Sequence, residues 1–148
     1  MGPRGGDELN RLVPGGNYGW PIFTSGVNYD GRPVNAAKKL RIELDPEDAE
    51  FPVVDMTPSP AISSFIFYEG TEFPGWNGNI IVGTLRATDL LRMEVVDGQV
   101  THTETLLEDL ARFRDIEIGA AGQLYILLEN AAGSKIIRLV PAVSKNRD

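Results

Sequence analysis

The sequence predicts an all-β fold on three observations. Sixteen Gly and ten Pro interrupt short runs that are rich in β-branched and aromatic residues, and residues of these two types punctuate strands. No segment has a helical period long enough to compete with the strand pattern. Asp97-Gly98 lies between two of the runs and is a strong hairpin signal, because the favoured turn needs positive φ.

Seven strands are predicted from residue 64 onwards, where short apolar runs alternate with turn residues. Residues 35–50 are polar and charged, and they predict a surface excursion with one helical turn. The predicted strands are residues 64–68, 79–85, 89–96, 100–107, 112–118, 123–129 and 135–140.

An internal repeat indicates how these strands are organised. Residues 78–83 match residues 122–127, 44 positions later, and residues 90–95 match residues 136–141, 46 positions later. A four-stranded unit of about 44 residues has the size of a β-propeller blade. Propellers close with about 4–8 blades, whereas 148 residues supply about three. A β-sandwich with two similar hairpins is the alternative.

Composition narrows the possible partners. The chain has 42% hydrophobic residues, enough for a buried core, and its net charge of -7 argues against a nucleic-acid partner. The absence of cysteine excludes disulfides and thiolate metal sites. Neither a signal peptide nor an apolar run of about 18 residues is found, so no membrane partner is expected.

A glycine-rich run with two carboxylates opens the chain. Residues 2–10 read Gly-Pro-Arg-Gly-Gly-Asp-Glu-Leu-Asn, and residues 15–21 read Gly-Gly-Asn-Tyr-Gly-Trp-Pro. Gly and Pro allow tight turns that bare carbonyl oxygens, and Asp7 and Glu8 add anionic oxygens; Ca²⁺ prefers such ligands. The alternative is an ordinary loop with solvated carboxylates, the two aromatic residues of the second run packing in the core.

Two arginines stand two positions apart in Arg112-Phe113-Arg114-Asp115. Alternate side chains of a strand share a face, so both guanidinium groups are expected on one face and Asp115 on the other. Planar guanidinium groups bind carboxylates in bidentate fashion, and the pair therefore predicts an anion clamp. A solvated strand face is the alternative.

Both motifs resemble the signature of the soluble aldose sugar dehydrogenases, the glucose/sorbosone dehydrogenase family, whose cofactor is pyrroloquinoline quinone (PQQ). Residues 50–64, which read Glu-Phe-Pro-Val-Val-Asp-Met-Thr-Pro-Ser-Pro-Ala-Ile-Ser-Ser, resemble a further segment of that family. The resemblance implies that residues 1–148 form the C-terminal part of a six-bladed propeller of four-stranded antiparallel blades, with residues 142–148 as a tail.

The resemblance also implies the site residues. The carbonyls of Gly2 and Pro3 would hold the Ca²⁺ that seats the quinone, with Asp7 in the same loop, while Glu8 and the Tyr18 carbonyl would hold a second, structural Ca²⁺. Arg86 stands where relatives commonly carry Lys. The implied cofactor-binding residues are Thr57, Ser59, Arg86, Arg112 and Arg114.

No catalytic residue is expected in this chain. His102 is its one histidine, and it follows a hairpin turn in an alternating polar strand, which predicts a surface position. The family's catalytic base, a histidine, is expected upstream of Met1.

The function implied for the whole protein is PQQ- and calcium-dependent oxidation of aldoses at C1 to lactones, in a periplasmic or secreted location. The partners implied are the aldose and either the missing N-terminal blades or further copies of the chain. The alternatives are a non-catalytic propeller fragment that binds carbohydrate or protein, and an inactive truncated product.

Overall fold

A computed structural model describes residues 3–34, 41 and 43–142, and it divides the chain into two compact units. The first unit holds Met1–Ala61 with Gly98–Val100, and the second holds Ile62–Asp97 with Thr101–Asp148. Every sheet is antiparallel, and the described residues form no α-helix. The predicted all-β class is confirmed.

The first unit is mostly loop, with one small sheet. Strands β1 (Glu8–Leu9) and β2 (Val54–Asp55) pair so that Glu8 lies opposite Asp55. A 3₁₀ turn at Pro46–Asp48 provides a helical turn in the predicted excursion, of which residues 35–40 and 42 lie outside the described residues. The predicted tail, apart from Ala142, also lies outside them.

A four-stranded sheet follows, with its strands in sequence order. Asp97 and Gly98 join its last two strands with φ of 52° and 74°. Positive φ at both positions is the requirement of the hairpin turn predicted from this dipeptide, so that prediction is confirmed. The strands are β3 (Ile62–Phe67), β4 (Ile80–Thr84), β5 (Leu90–Val96) and β6 (Gln99–Leu107).

A three-stranded sheet completes the second unit, formed by β7 (Arg112–Ile118), β8 (Leu124–Asn130) and β9 (Gly133–Leu139). The sequence repeat is reproduced in space, because β4 and β8 are second strands of their sheets and β5 and β9 are third strands. The seven predicted strands correspond to β3 to β9, three of them in this sheet. Only three described residues follow β9, and they form no strand.

The core of the second unit draws on both sheets. Strand β4 is buried along its whole length, and a Cβ atom at Gly83 would lie 2.8 Å from that of Phe113. The Ser63 hydroxyl lies within hydrogen-bond distance of the carbonyl oxygens of Gly83 and Phe113. Strands β4 and β7 therefore approach too closely for any side chain at position 83. The buried hydrophobic core consists of Tyr68, Ile81, Leu90, Ala111, Phe113, Ile116, Leu124, Ile126 and Leu128.

Candidate functional site

The glycine-rich loop and the segment around Thr57 form one local structure in the first unit. The Gly6 amide donates a hydrogen bond of 3.1 Å to Thr57 Oγ1, and Ser59 Oγ donates one of 2.5 Å to Asp7 Oδ2. Gly6 has a φ of 74°, and a Cβ atom there would lie 2.7 Å from the Gly26 nitrogen. Only glycine fits that position, and the turn brings Asp7 to Ser59.

A cavity of about 340 Å³ lies beside this loop in the first unit. Three carboxylates line it, those of Glu8, Glu50 and Asp55, together with Tyr18. Hydrogen bonds from the Ser25 hydroxyl and then from Thr57 lower the pKa of Asp55 below its ordinary value of 3.8. The cavity therefore combines carboxylate groups with apolar side chains, among them Ile22, Phe23 and Phe51.

The two aromatic residues of the second run are not core residues. Tyr18 is half-buried, and its hydroxyl accepts a hydrogen bond from the Val13 amide at 2.7 Å and donates one to the Arg11 carbonyl at 3.3 Å. Trp20 is 60% exposed. Neither residue is fully buried in the described part of the chain, which gives no support to the alternative interpretation of core packing.

The predicted calcium ligands fit the ion in donor type. Among the described residues, no group of three or more His, Cys, Asp or Glu side chains is arranged to hold a metal. The predicted sites depend instead on backbone carbonyls, which are ordinary Ca²⁺ ligands. Glu8 and Tyr18 line the same cavity, as they must if both are to bind the second Ca²⁺. Pro3 and Asp7 are described, whereas Gly2 lies outside the described residues.

The paired arginines lie in the second unit on a strand that is not regular. The pairing of β7 with β8 shifts between Phe113 and Asp115, so Arg114 is the extra residue of a β-bulge. Phe113 and Ile116 are both buried, and Asp115 is exposed. Asp115 Oδ1 accepts a hydrogen bond of 3.0 Å from the Ser64 hydroxyl group of β3, whereas Arg114 contacts a residue of β8, so the two side chains have different neighbours.

Both arginines converge on Glu129 of β8. Arg112 is the register partner of Glu129, and Arg114 Nε donates a hydrogen bond to Glu129 Oε2. That bond, with the charges of Arg114 and then Arg112, lowers the pKa of Glu129 below its ordinary value of 4.5. Glu129 carries no signal in the sequence, because only the strand register places it opposite Arg112.

Arg112 also borders a cavity of about 350 Å³ in the second unit. Its Nε atom is buried and has no hydrogen-bond partner among the described residues. The arrangement leaves a donor that an anionic ligand could satisfy. The cavity is lined by Thr88, Ala111, Arg112, Glu129, Asn130 and Ala131.

The loop that carries Arg86 is tied to the segment that enters β7. Thr88 Oγ1 donates a hydrogen bond of 2.9 Å to Asp109 Oδ1, and the Asp109 amide donates one of 2.8 Å to Asp89 Oδ1. Thr88 and Asp109 have φ of 60° and 47°. Residues other than glycine seldom adopt this conformation, so the loop is held by its contacts. In the sequence, only the tendency of Asp109 to form turns could have pointed to this loop contact.

The one histidine and the possibility of a membrane span were also considered in the sequence. His102 is exposed on β6, as the alternating pattern predicted. None of the helices in residues 3–34, 41 and 43–142 is long and apolar enough to cross a membrane. The predicted site residues that the structure describes are thus divided between the two units, Arg86, Arg112 and Arg114 lying in the second and the others in the first.

The repeated antiparallel sheets define the chain as part of a β-propeller, and the arginine pair, of which Arg112 lines a cavity, gives it a candidate anion-binding site. Residues 1–138 match the model of the glucose/sorbosone dehydrogenase family. The aldose sugar dehydrogenase of Escherichia coli K12 is 37% identical over 141 residues, which cover 95% of this chain and 37% of that protein. The chain belongs to the glucose/sorbosone dehydrogenase family.

Solved structures agree with this assignment. A crystal structure of a glucose dehydrogenase superposes with a TM-score of 0.84 at 38% identity, over 96% of this chain and 40% of that one. The soluble aldose sugar dehydrogenase of Escherichia coli, in its apo form, gives 0.78 at 34% identity, over 96% and 40%. The chain therefore spans about two fifths of the length of the relatives that it matches.

Proposed function

We propose that this chain supplies the cofactor clamp and the calcium loop of a PQQ- and calcium-dependent dehydrogenase that oxidises aldoses at C1 to lactones. Family membership supports the class of enzyme. The observation that carries the cofactor role is Arg112, a residue that lines a cavity and whose buried Nε atom has no hydrogen-bond partner among the described residues. A buried donor without an acceptor is unfavourable, and a carboxylate of the tricarboxylate PQQ would satisfy it.

In this proposal the arginines bind and orient the cofactor. Arg112 lines the cavity and Arg114 follows two residues later on the same strand, and a planar guanidinium group is suited to bind a carboxylate. Arg86 adds a third cation from a loop that Thr88 and Asp109 tie to the start of β7. When bound, the quinone supplies the two-electron acceptor for the hydrogen at C1 of the sugar.

The first unit would hold calcium. The carbonyls of Gly2 and Pro3 would bind the ion that seats the quinone, and this ion would polarise the quinone's reactive carbonyl group. Glu8 and the Tyr18 carbonyl would bind a second ion next to the carboxylate-lined cavity. Thr57 and Ser59 would lie beside the cofactor. Their hydrogen bonds to Gly6 and Asp7 fix them to the calcium loop.

The general base would come from outside this chain. A base must reach the proton of the C1 hydroxyl group, and His102 is exposed on β6 in a sheet of which the clamp strand β7 is not a member. We therefore expect the chain to bind cofactor and calcium without turning over sugar.

Titration of the full chain with PQQ, in the presence of Ca²⁺, tests the clamp. Isothermal calorimetry is expected to show binding that Arg112→Gln weakens at least tenfold, because a charge-assisted bidentate contact contributes about 1.5–3 kcal/mol. Glu117→Gln is the control, since Glu117 is exposed on the same strand and lies opposite Tyr125. Equal affinity of wild type and Arg112→Gln would reject the clamp.

An exposed sheet edge favours a proposal about partners. Strand β9 is an edge strand, and Leu127 and Ile136, which are register partners on β8 and β9, are 37% and 72% exposed. Apolar edges of this kind invite pairing with another strand. The upstream blades or a second copy of the chain would cover it. Light scattering is expected to show oligomers of the isolated chain, and a stable monomer over a wide concentration range would contradict self-association.

A further inference from the structure

Glu129 occupies a position in the candidate anion site that the clamp does not require. In the antiparallel pairing of β7 and β8, Glu129 faces Arg112. Arg114, two residues further along β7, donates a hydrogen bond from its Nε atom to Glu129 Oε2. One glutamate thus neutralises part of the positive charge that two arginines offer.

The glutamate is also part of the cavity wall. Glu129 and Arg112 both line the cavity of about 350 Å³, and the Nε atom of Arg112 stays without a hydrogen-bond partner there among the described residues. The two arginines therefore differ in the ligand-free chain. Arg114 is engaged by Glu129, and Arg112 keeps an unused donor.

The contact between Arg114 and Glu129 is reversible by its nature. The side chains are 40% and 38% exposed, so water screens their attraction and can replace either partner. A competing carboxylate can therefore separate Arg114 from Glu129 at a small cost in free energy. A ligand that carries several carboxylates is such a competitor.

We propose that Glu129 is an affinity-determining residue of this site, an internal carboxylate that holds Arg114 until a ligand carboxylate takes its place. The inference rests on the proposed function, because it assumes that the two arginines bind a polycarboxylate. It adds that a ligand carboxylate replaces Glu129 at Arg114, whereas another ligand carboxylate binds Arg112 without displacing any group. Glu129 therefore sets the affinity below that of two unopposed arginines.

The test measures binding of 1,2,4-benzenetricarboxylate, a redox-inactive probe, to the full chain by calorimetry at low salt. Glu129→Gln keeps the shape of the side chain and removes its charge. The expected result is binding about two- to fivefold tighter than wild type, the range of an exposed ion pair. Glu117→Gln, which removes a charge elsewhere on β7, is expected to change the affinity much less.

The variant Arg114→Gln separates exchange from general charge repulsion. If Glu129 acts by holding Arg114, then Glu129→Gln is expected to increase affinity less in the Arg114→Gln background than in wild type. An equal increase in both backgrounds, or no increase in wild type, would overturn the inference. If Arg112→Gln also leaves binding unchanged, the clamp itself fails. If Arg112→Gln weakens binding while Glu129→Gln changes nothing, only the role of Glu129 fails.

Discussion

Ser59 Oγ donates a hydrogen bond of 2.5 Å to the carboxylate of Asp7 across 52 positions of sequence, and it accepts one of 3.0 Å from the Ala61 amide. Ser59 is 9% exposed, so water replaces these bonds poorly. The serine therefore joins the glycine-rich loop to the segment that follows β2. Both ends of this contact belong to the predicted binding residues.

Ser59→Ala is expected to lower the free energy of unfolding by about 1 kcal/mol, because it removes a part-buried hydrogen bond to a charged group. Urea denaturation of wild type and variant measures the difference. Ser134→Ala is the control, since Ser134 is exposed on the edge strand β9, and a change within about 0.5 kcal/mol is expected. Equal losses in both variants would show that the contact with Asp7 contributes nothing.

Gly83→Ala is expected to destabilise the second unit by about 1–3 kcal/mol, since its Cβ atom would lie 2.8 Å from the Cβ atom of Phe113 in a packed core. Gly75→Ala is the matched control, because a Cβ atom there meets no atom within 4 Å and no positive φ is required. Thermal unfolding followed by circular dichroism compares the two. A wild-type midpoint for Gly83→Ala would mean that β4 and β7 do not approach as described.

Arg92 is a buried cation with several acceptors. Its side chain is 10% exposed, its guanidinium group pairs with Glu104 at 2.5 Å and with Glu94 at 2.9 Å, and it lies 5.8 Å from the centre of the Trp76 ring. Arg92→Met keeps the packing of the stem and leaves two neighbouring glutamates unopposed. We expect a loss of about 1–3 kcal/mol in the free energy of unfolding.

The control for Arg92 is Arg32→Met. Arg32 pairs with Asp30 at 3.6 Å, and its side chain is 83% exposed, so the loss is expected to stay below about 1 kcal/mol. Chemical denaturation at one salt concentration measures both variants. Comparable losses in the free energy of unfolding would show that the burial of Arg92 does not strengthen its ion pairs.

Glu129 is expected to titrate below its ordinary pKa of 4.5, because the hydrogen bond from Arg114 favours its charged form. The stabilisation from this pair is present above 4.5 and is lost as pH falls through the lower pKa of the folded state. Carboxyl-detected NMR measures the midpoint. In Arg114→Gln the midpoint is expected to rise towards 4.5 without reaching it, since Arg112 remains. An unchanged midpoint would contradict the contact.

The sequence by itself determined the local structure. Alternating apolar runs placed the strands of the second unit within a few residues, and residues 112–118 were assigned with the bounds that β7 has. Asp97-Gly98 specified its turn, because positive φ at two consecutive positions is a local requirement that few residue pairs meet. The repeat indicated which strands are equivalent, since each blade buries the same apolar positions.

Only the tertiary structure decided the neighbours of the binding residues. The sequence around Asp7 does not predict its contact with Ser59, and the sequence around Arg114 does not predict its contact with Glu129. The bulge at Arg114 arises from the register of two strands, which the sequence pattern does not show. Turns and strand periods follow from the conformational preferences of adjacent residues. Hydrogen bonds between distant segments and close approaches such as that of Gly83 to Phe113 exist only once the sheets have packed.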